Sequence, residues 1–374
     1  MATWIETRYG RLMIDSLTLE RKDSLGIMTL NRPSALNTLS LELILEIRKQ
    51  LMLWNEDPEI KLICLRGYGQ KGFCAGGDVK TLSQTLSTES AKKYAFDFFW
   101  NEYRLDHQIY VNPKPVVVIG HGITMGGGLG LLAGATCRVV TPSTVMAMPE
   151  ITIGLYTDVG ASYFLPRIPH SIGLFLGLTA TRFSGRDALF LGLADVLMSD
   201  DQIDSWLEDC QKELSQGAPL LDRPSLVRLA QKGGGRVDSD FSPSPFQVHA
   251  YEIDALMKAS RLEELIQRFQ ELSAQDQKTL PWDLSAFFHG SPTSAHLIFE
   301  QYKRGRSLSL EDCFEMELNL SLACCRNHDF KEGVRALLID KDKAPRWSPS
   351  TWSEVGPDLV LSYFKPTARL WSEK

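Results

Sequence analysis

Residues 116–132 read VVVIGHGITMGGGLGLL, and the ten residues HGITMGGGLG (121–130) within them contain five glycines. The run of branched apolar residues before the glycines is typical of a buried β-strand, and the apolar residues after them predict a short helix. Glycine loses more conformational freedom on folding than any other residue, so this cluster needs a reason. The candidates are a phosphate-binding loop, a tight turn, or a loop that exposes backbone N–H groups to a ligand.

Two motifs that bind phosphate are poorly matched by this stretch. The pattern GxxxxGK[ST] requires Lys and Ser or Thr after the glycines, and neither follows them here. The dinucleotide pattern GxGxxG requires an acidic residue at a later strand end, which is not found at the right distance. The remaining chemical interpretation is that the loop exposes backbone N–H groups to a ligand. They would lie at the start of the next helix, where the helix dipole favours negative charge.

A second loop of the same kind, GFCAGGDVK (72–80), also follows an apolar strand. Two backbone N–H donors from two loops are what an oxyanion hole needs to bind the oxygen of a thioester enolate or a tetrahedral intermediate. The alternative for either loop is a tight turn with no chemical role.

Strands and helices alternate through the first half of the chain. The apolar spacing predicts strands at 26–30, 61–67, 115–120 and 137–141, and helices at 40–54 and 91–110. After about residue 200 the spacing is almost wholly helical, and 233–246, rich in Gly, Ser and Pro, is expected to be an exposed loop. The sequence therefore predicts an α/β protein with a core in residues 1–210 and a helical region in residues 211–374.

Composition excludes several classes of protein. The 374 residues carry a net charge of −6, which argues against a surface that binds nucleic acid. No apolar run is long enough to span a membrane, and the N-terminus has no signal-peptide pattern. Seven cysteines without a CxxC pair indicate reduced thiols, with neither a metal site nor a disulfide framework.

Four separated motifs stand out along the chain: NRPSALNTL (31–39), GFCAGGD (72–78), HGITMGGGLGLL (121–132) and MPEITIGLYTDVGASYFLPR (148–167). Together they resemble the successive motifs of the crotonase, or enoyl-CoA hydratase/isomerase, superfamily. Within the superfamily the chain is most similar to the 3-hydroxyisobutyryl-CoA hydrolase branch, which shares the pair Glu102–Tyr103 and a late segment like HDFKEGVRALLIDKDKAPRW (328–347). The resemblance covers about residues 12–365.

This resemblance implies a spiral of ββα repeats with a helical C-terminal region packed against it. The oxyanion hole would consist of the backbone N–H groups of Gly77 and Gly127. Coenzyme A would lie along the loop that contains Ala75 and Asp78, and Lys80 would be one candidate for its phosphates.

The carboxylates distinguish the reactions of the superfamily. Hydratases have a glutamate at the position of Gly130, so this chain lacks one of their two bases. The hydrolase branch retains the glutamate that matches Glu150 and adds an aspartate that matches Asp158, with a further glutamate matching Glu102. By analogy, Glu150 attacks the thioester carbonyl or activates the water that does so, while Asp158 binds the substrate hydroxyl or relays protons. A turn, a helix cap or an ion pair would be the purely structural roles of these residues.

Two further positions, one beside Asp158 and one before the glycine loop, raise separate questions. The branch has proline before the aspartate, whereas this chain has Thr157, which is expected to loosen the backbone around Asp158. His121 precedes the glycine loop, and we expect it to be a buried histidine bonded to backbone rather than a catalytic group.

The resemblance implies an acyl-CoA thioester hydrolase for a short branched β-hydroxyacyl group, with 3-hydroxyisobutyryl-CoA from valine degradation as the best candidate. The alternatives are an enoyl-CoA hydratase or isomerase, and a non-catalytic acyl-CoA-binding protein.

We expect no cofactor and no metal, since the CoA thioester is the substrate. We also expect no nucleic-acid or membrane partner. Assembly into a homo-oligomer is left open. The expected location is the cytoplasm, with a processed mitochondrial form as the alternative.

Overall fold

The computed structural model describes residues 5–7, 10–12, 16–86, 91–218, 220–274 and 280–371. The strands are β1 Ile5–Thr7, β2 Gly10–Leu12, β3 Leu17–Lys22, β4 Leu25–Leu30, β5 Leu62–Gly67, β6 Val116–Gly120, β7 Ile123–Met125, β8 Cys137–Val140, β9 Val145–Ala147, β10 Phe183–Ser184 and β11 Val196–Leu197. A six-stranded sheet has the order β11-β8-β6-β5-β4-β3, in which β3 is antiparallel to β4 and the other pairs are parallel. A second sheet has the order β10-β9-β7 and a third pairs β1 with β2.

Helices cover both faces of the six-stranded sheet and make up most of the chain after it. The α-helices are α1 Leu41–Glu56, α2 Val79–Thr85, α3 Ala91–Tyr110, α4 Gly127–Ala133, α5 Ala161–Phe164, α6 Ile172–Thr179, α7 Gly185–Phe190, α8 Asp200–Ser215, α9 Arg223–Lys232, α10 Pro245–Val248, α11 Ala250–Met257, α12 Leu262–Ala274, α13 Ser285–His289, α14 Pro292–Gly305, α15 Leu310–Arg326, α16 His328–Val334 and α17 Pro357–Tyr363. Short 3₁₀-helices include Glu150–Ile153, and a π-helix spans Arg335–Ile339.

The order strand, strand, helix recurs along the first half of the chain, as in β3-β4-α1 and β6-β7-α4. The predicted helix after Ser40 is present as α1, because the Ser40 side chain accepts a hydrogen bond from the Leu43 N–H at 3.3 Å and the face carrying Ile44 and Ile47 is buried. The strand β6 is buried along its whole length, as expected for a strand covered on both faces.

The two glycine-rich loops lie side by side because the loop after β5 pairs with the chain around β7. Phe73 N–H donates to the His121 carbonyl at 2.8 Å, and Cys74 N–H donates to the Ile123 carbonyl at 3.1 Å. In return, Met125 N–H donates to the Cys74 carbonyl at 3.0 Å. This pairing sets the register that brings Gly77 next to Gly127.

The helices after residue 199 divide between the two faces of the sheet. On one face, α8 and α9 bury Trp206 and Leu226 against the strands. On the other, α14 and α15 join the main core, in which Phe314 of α15 lies beside Tyr103 of α3 with ring centroids 6.2 Å apart. The predicted boundary at residue 210 falls within α8, and a division of the chain into two units stays a prediction.

The expectation of an exposed loop at 233–246 was wrong at its C-terminal end. Phe246 is fully buried, and its ring stacks on Trp282 at 4.2 Å between centroids. Ser244 caps α10, which places Phe246 inside the core. The composition of the segment could not predict this contact because its partner, Trp282, lies 36 positions later in the chain.

Candidate active site

A cavity of about 160 Å³ lies where the two glycine loops meet α3 and the 3₁₀-helix Glu150–Ile153. Six of the seven residues that the sequence points to line it: Ala75, Gly77, Glu102, Gly127, Glu150 and Asp158. The seventh, Asp78, lies outside the lining. Its carboxylate caps α2 by accepting from Thr81 N–H at 3.2 Å, and it pairs with Arg32 at 3.1 Å.

The backbone N–H groups of Gly77 and Gly127 are adjacent in this cavity. A Cβ placed on Gly127 would lie 3.4 Å from the Gly77 nitrogen. Gly127 is the first residue of α4, whose opening N–H groups have no acceptor within the helix. Neither of the two N–H groups donates to another residue in the described part of the chain. Two free donors, one with a helix dipole behind it, form a site for an oxyanion.

Two carboxylates lie directly against this pair of donors. A Cβ on Gly126, which has φ +49°, would be 3.0 Å from Glu150 Oε1, and one on Gly127 would be 2.8 Å from Glu102 Oε1. A larger residue at either position would therefore displace a carboxylate. The glycines serve both to expose the N–H groups and to admit the two acids.

Burial makes these carboxyls unusually basic. Glu102 is 2% exposed and Glu150 5%, and within the described residues Glu102 Oε1 and Glu150 Oε2 have no hydrogen-bond partner. Desolvation, followed by the nearby charge of Asp158, raises the pKa of both glutamates well above the ordinary value of 4.5. A carboxyl whose pKa is raised in this way is suited to act as a general acid or base.

Asp158 occupies a turn whose geometry depends on the next two residues. Val159 has φ +56° and Gly160 has φ +87°, and Ala161 N–H closes the turn on the Asp158 carbonyl at 3.0 Å. Burial raises the pKa of Asp158 to about 7, although a 2.8 Å hydrogen bond from the Tyr103 hydroxyl lowers it.

Thr157 is tied to α14 instead of loosening the chain. Its hydroxyl donates to Gln301 Oε1 at 3.2 Å, and Gln301 Nε2 donates back to the Thr157 carbonyl. Both side chains are buried. The two hydrogen bonds fix both the side chain and the backbone of Thr157, the residue before Asp158, so the expected loosening is not observed.

Two other residues singled out in the sequence lie outside the cavity lining. Lys80 is exposed on the first turn of α2. His121 is half-buried, and its Nε2 lies 2.7 Å from the Gly69 carbonyl, so the expected bond to backbone is present.

Sequence reasoning did not assign the apolar wall of the cavity. Phe98 and Phe99 come from α3, and Leu337 and Leu338 come from the π-helix. The resemblance of residues 328–347 to the hydrolase branch is the signal in the sequence for this wall, but it assigns a role to no residue in the segment. The wall makes the site suited to an acyl group and limits access of water to the acids.

The described parts of the chain contain no group of three or more His, Cys, Asp or Glu residues arranged to hold a metal ion. Across the same residues, no helix has both the length and the apolar character needed to cross a membrane.

A sequence profile described as enoyl-CoA hydratase/isomerase matches residues 25–364. This chain belongs to the enoyl-CoA hydratase/isomerase family. The resemblance read from the separated motifs is thus confirmed, as is the α/β crotonase fold with its helical C-terminal region.

Curated members of the family include similar proteins from vertebrates. A Gallus gallus protein is 39% identical over 353 residues, which cover 93% of this chain and 88% of that protein. A Homo sapiens protein is 38% identical over 352 residues, covering 94% and 89%. Both are named 3-hydroxyisobutyryl-CoA hydrolase, mitochondrial.

Solved structures in the family carry other names. A carnitinyl-CoA dehydratase from Mycobacterium thermoresistibile has a TM-score of 0.83 at 32% identity, over 96% of this chain and 98% of its own. An enoyl-CoA hydratase from Rhodobacter sphaeroides 2.4.1 has a TM-score of 0.82 at 31% identity, over 94% and 98%. The fold is therefore shared by proteins named as hydrolases and as hydratases, and the site residues must distinguish the reactions.

Proposed function

We propose that this protein hydrolyses the thioester of a short branched β-hydroxyacyl-CoA, with 3-hydroxyisobutyryl-CoA giving 3-hydroxyisobutyrate and CoA in valine degradation. The observation that carries the proposal is the position of Glu150: its Oε1 lies against Gly126, beside the free Gly127 N–H, and its Oε2 has no partner among the described residues. The names of the Gallus gallus and Homo sapiens relatives support the same reaction.

The Gly77 and Gly127 N–H groups would bind the thioester oxygen as it becomes an oxyanion. Each donor of this kind contributes roughly 2.7–4 kcal/mol to lowering the barrier. The donors are backbone groups fixed by the pairing of the two loops, so they need no rearrangement when charge develops on the oxygen.

Glu150 would then act by one of two routes. In the first, an ionised Glu150 takes a proton from water, the resulting hydroxide attacks the carbonyl carbon, and the C–S bond breaks to release CoA, which receives the proton. In the second, Glu150 attacks the carbonyl itself, CoA leaves, and water hydrolyses the resulting anhydride. Asp158 would bind the β-hydroxyl or relay the proton to the departing sulfur.

The names of the two solved structures favour a second candidate, the addition or removal of water across a carbon–carbon double bond. Such a reaction in this superfamily uses a glutamate at position 130, where this chain has Gly130. Addition of water to crotonyl-CoA would remove the enoyl absorbance without releasing thiol, which separates the two reactions.

We further propose that the reaction uses no metal and no cofactor beyond the CoA of its substrate, and that an acyl-CoA is the small-molecule partner. Assembly into a homo-oligomer stays open, and the absence of nucleic-acid binding stays a prediction. So does the cytoplasmic location, to which a processed mitochondrial form is the alternative favoured by the names of the relatives.

The deciding experiment measures thiol release from 3-hydroxyisobutyryl-CoA, crotonyl-CoA and acetyl-CoA by the wild type and by Glu150→Gln. Release from the β-hydroxy substrate that disappears in the variant is the expected result. Loss of the crotonyl absorbance with no thiol from any substrate would overturn the proposal in favour of a hydratase.

A further inference from the structure

Three buried hydroxyl groups from three separate elements meet behind Asp158. They belong to Tyr103 of α3, Tyr156 of the loop before Asp158, and Ser321 of α15, and all three side chains are fully buried. The Tyr103 oxygen lies 2.5 Å from Ser321 Oγ and 3.4 Å from the Tyr156 oxygen, and Tyr156 lies 2.8 Å from Ser321. We refer to these three residues as the hydroxyl triad.

The directions of the hydrogen bonds follow from the acceptors at the two ends of the triad. Tyr103 donates to Asp158 Oδ2 at 2.8 Å, and Tyr156 donates to the Glu317 carbonyl at 2.6 Å. An ionised carboxylate and a carbonyl can only accept, so both tyrosine protons are committed. Ser321 then donates to one of the tyrosine oxygens. A tyrosine that both accepts and donates in such a chain is a stronger donor than an isolated one.

A second contact from α15 holds the same turn. The Glu317 carboxylate accepts from Gly160 N–H at 2.7 Å and from Ser162 N–H at 2.9 Å. The backbone after Asp158 and the side chain of Asp158 are thus both fixed to α15, the side chain through Tyr103 and Ser321. The network reaches only one oxygen of Asp158, Oδ2, and leaves Oδ1 outside it.

We propose that Tyr103 is a positioning residue: its hydroxyl, oriented by Ser321 and Tyr156, fixes the carboxylate of Asp158 and favours its ionised form in the active site. The proposal rests on the proposed function in so far as Asp158 takes part in thioester hydrolysis. The triad ends on a backbone carbonyl, which cannot carry a proton onward, so its role is orientation and not proton transfer.

The surroundings of Asp158 make a donor necessary. Burial disfavours its ionised form, and the titratable groups that interact with it from each packed element are acids, none of which supplies a compensating positive charge. They are Glu102, Tyr103 and Asp106 on α3, Glu150 and Tyr156 on the segment that carries Asp158, and Glu317, Cys324 and Cys325 on α15. A hydrogen bond from a hydroxyl to the carboxylate opposes this effect.

The test is Tyr103→Phe, which removes one oxygen and retains the ring. We expect kcat for 3-hydroxyisobutyryl-CoA to fall roughly tenfold with a change in KM of less than about twofold, as for loss of one hydrogen bond to a charged group. In the pH–rate profile, the midpoint that belongs to ionisation of Asp158 should rise by about one pH unit, whether Asp158 acts ionised or protonated. Tyr110→Phe, two turns along the same helix, is the matched control and should leave kcat and this midpoint unchanged.

A measurement without substrate separates this proposal from the proposed function. The carboxyl carbon of Asp158, assigned by its absence in Asp158→Asn, is titrated by ¹³C NMR in the folded wild type and in Tyr103→Phe. A midpoint that rises by about one pH unit in the variant supports the positioning role even if the wild type releases no thiol, in which case only the proposed function fails. An unchanged midpoint in a folded variant overturns the positioning role, even if the wild type hydrolyses the thioester.

Discussion

A Cβ placed on Gly130 would lie 2.6 Å from the Cβ of Val159 and 3.0 Å from the Val159 carbonyl oxygen. Real Cβ atoms do not approach other atoms this closely, and Val159 already has φ +56° and a fully buried side chain. The turn that carries Asp158 therefore occupies the space that a side chain at position 130 would need. In this chain, the presence of Asp158 in the site and a glutamate at position 130 are sterically incompatible.

Gly130→Glu is accordingly expected not to create a hydratase. The substitution should lower the free energy of unfolding by at least about 1–3 kcal/mol, as overpacking of a buried position does. It should also lower thiol release, because the Asp158 turn has to move. Urea denaturation and the absorbance of crotonyl-CoA provide the measurements. Gain of crotonyl-CoA hydration in a variant of unchanged stability would contradict this account of the site.

Gly127→Ala tests the oxyanion donors. The added Cβ would lie 2.8 Å from Glu102 Oε1, so either the carboxylate or the start of α4 must shift. Displacement of the N–H should reduce kcat about 10²- to 10³-fold while binding of the CoA portion, reported by a nonhydrolysable analogue, changes little. Gly356→Ala is the matched control, since its φ of −74° suits alanine and a Cβ there has open space around it. Equal activity of Gly127→Ala and the control would remove Gly127 from the oxyanion hole.

The pH dependence of hydrolysis should reflect the raised pKa of Glu150. If Glu150 must be ionised to attack or to activate water, kcat/KM rises with pH through a midpoint well above the ordinary value of 4.5. Asp158→Asn removes a negative charge that raises the pKa of Glu150, so the midpoint of the residual activity should move to lower pH. Rates of thiol release measured from about pH 5 to pH 9 test both statements. A midpoint that stays in place in Asp158→Asn would show that the two carboxyls are not coupled.

Local pattern was sufficient for the parts of the site that depend on local backbone. The sequences GFCAGGD and HGITMGGG predicted two loops that present backbone N–H groups to a ligand, and the resemblance supplied the proposed roles of Glu150 and Asp158. Contacts between distant segments could not be predicted in this way. Tyr103 meets Ser321 across 218 positions, and Thr157 meets Gln301 across 144, so the sequence around position 157 could not reveal the contact that fixes it.

Asp106 should reduce the stability of the fold at neutral pH. It lies one helical turn after Glu102 on α3, its side chain is fully buried, and neither carboxylate oxygen has a partner among the described residues. Desolvation, followed by the charges of Glu102 and Glu317, raises the pKa of Asp106 well above 3.8. In the unfolded chain Asp106 ionises near that ordinary value. The free energy of unfolding is therefore highest below this pH, and it falls as the pH rises towards the pKa of Asp106 in the folded protein.

Asp106→Asn removes this loss while retaining the shape of the side chain. We expect the free energy of unfolding of the variant to exceed that of the wild type by about 1–3 kcal/mol at pH 8, and the difference to shrink towards about pH 3, where the aspartate is mostly protonated in both states. Asp329→Asn is the control of opposite sign: this buried carboxylate accepts from Ser291 Oγ at 2.6 Å and from Ser348 N–H at 2.8 Å, so its loss should destabilise the protein. Urea denaturation at both pH values decides the matter. If Asp106→Asn destabilises the fold at pH 8 as Asp329→Asn does, then Asp106 is ionised and stabilised in the native state, contrary to this prediction.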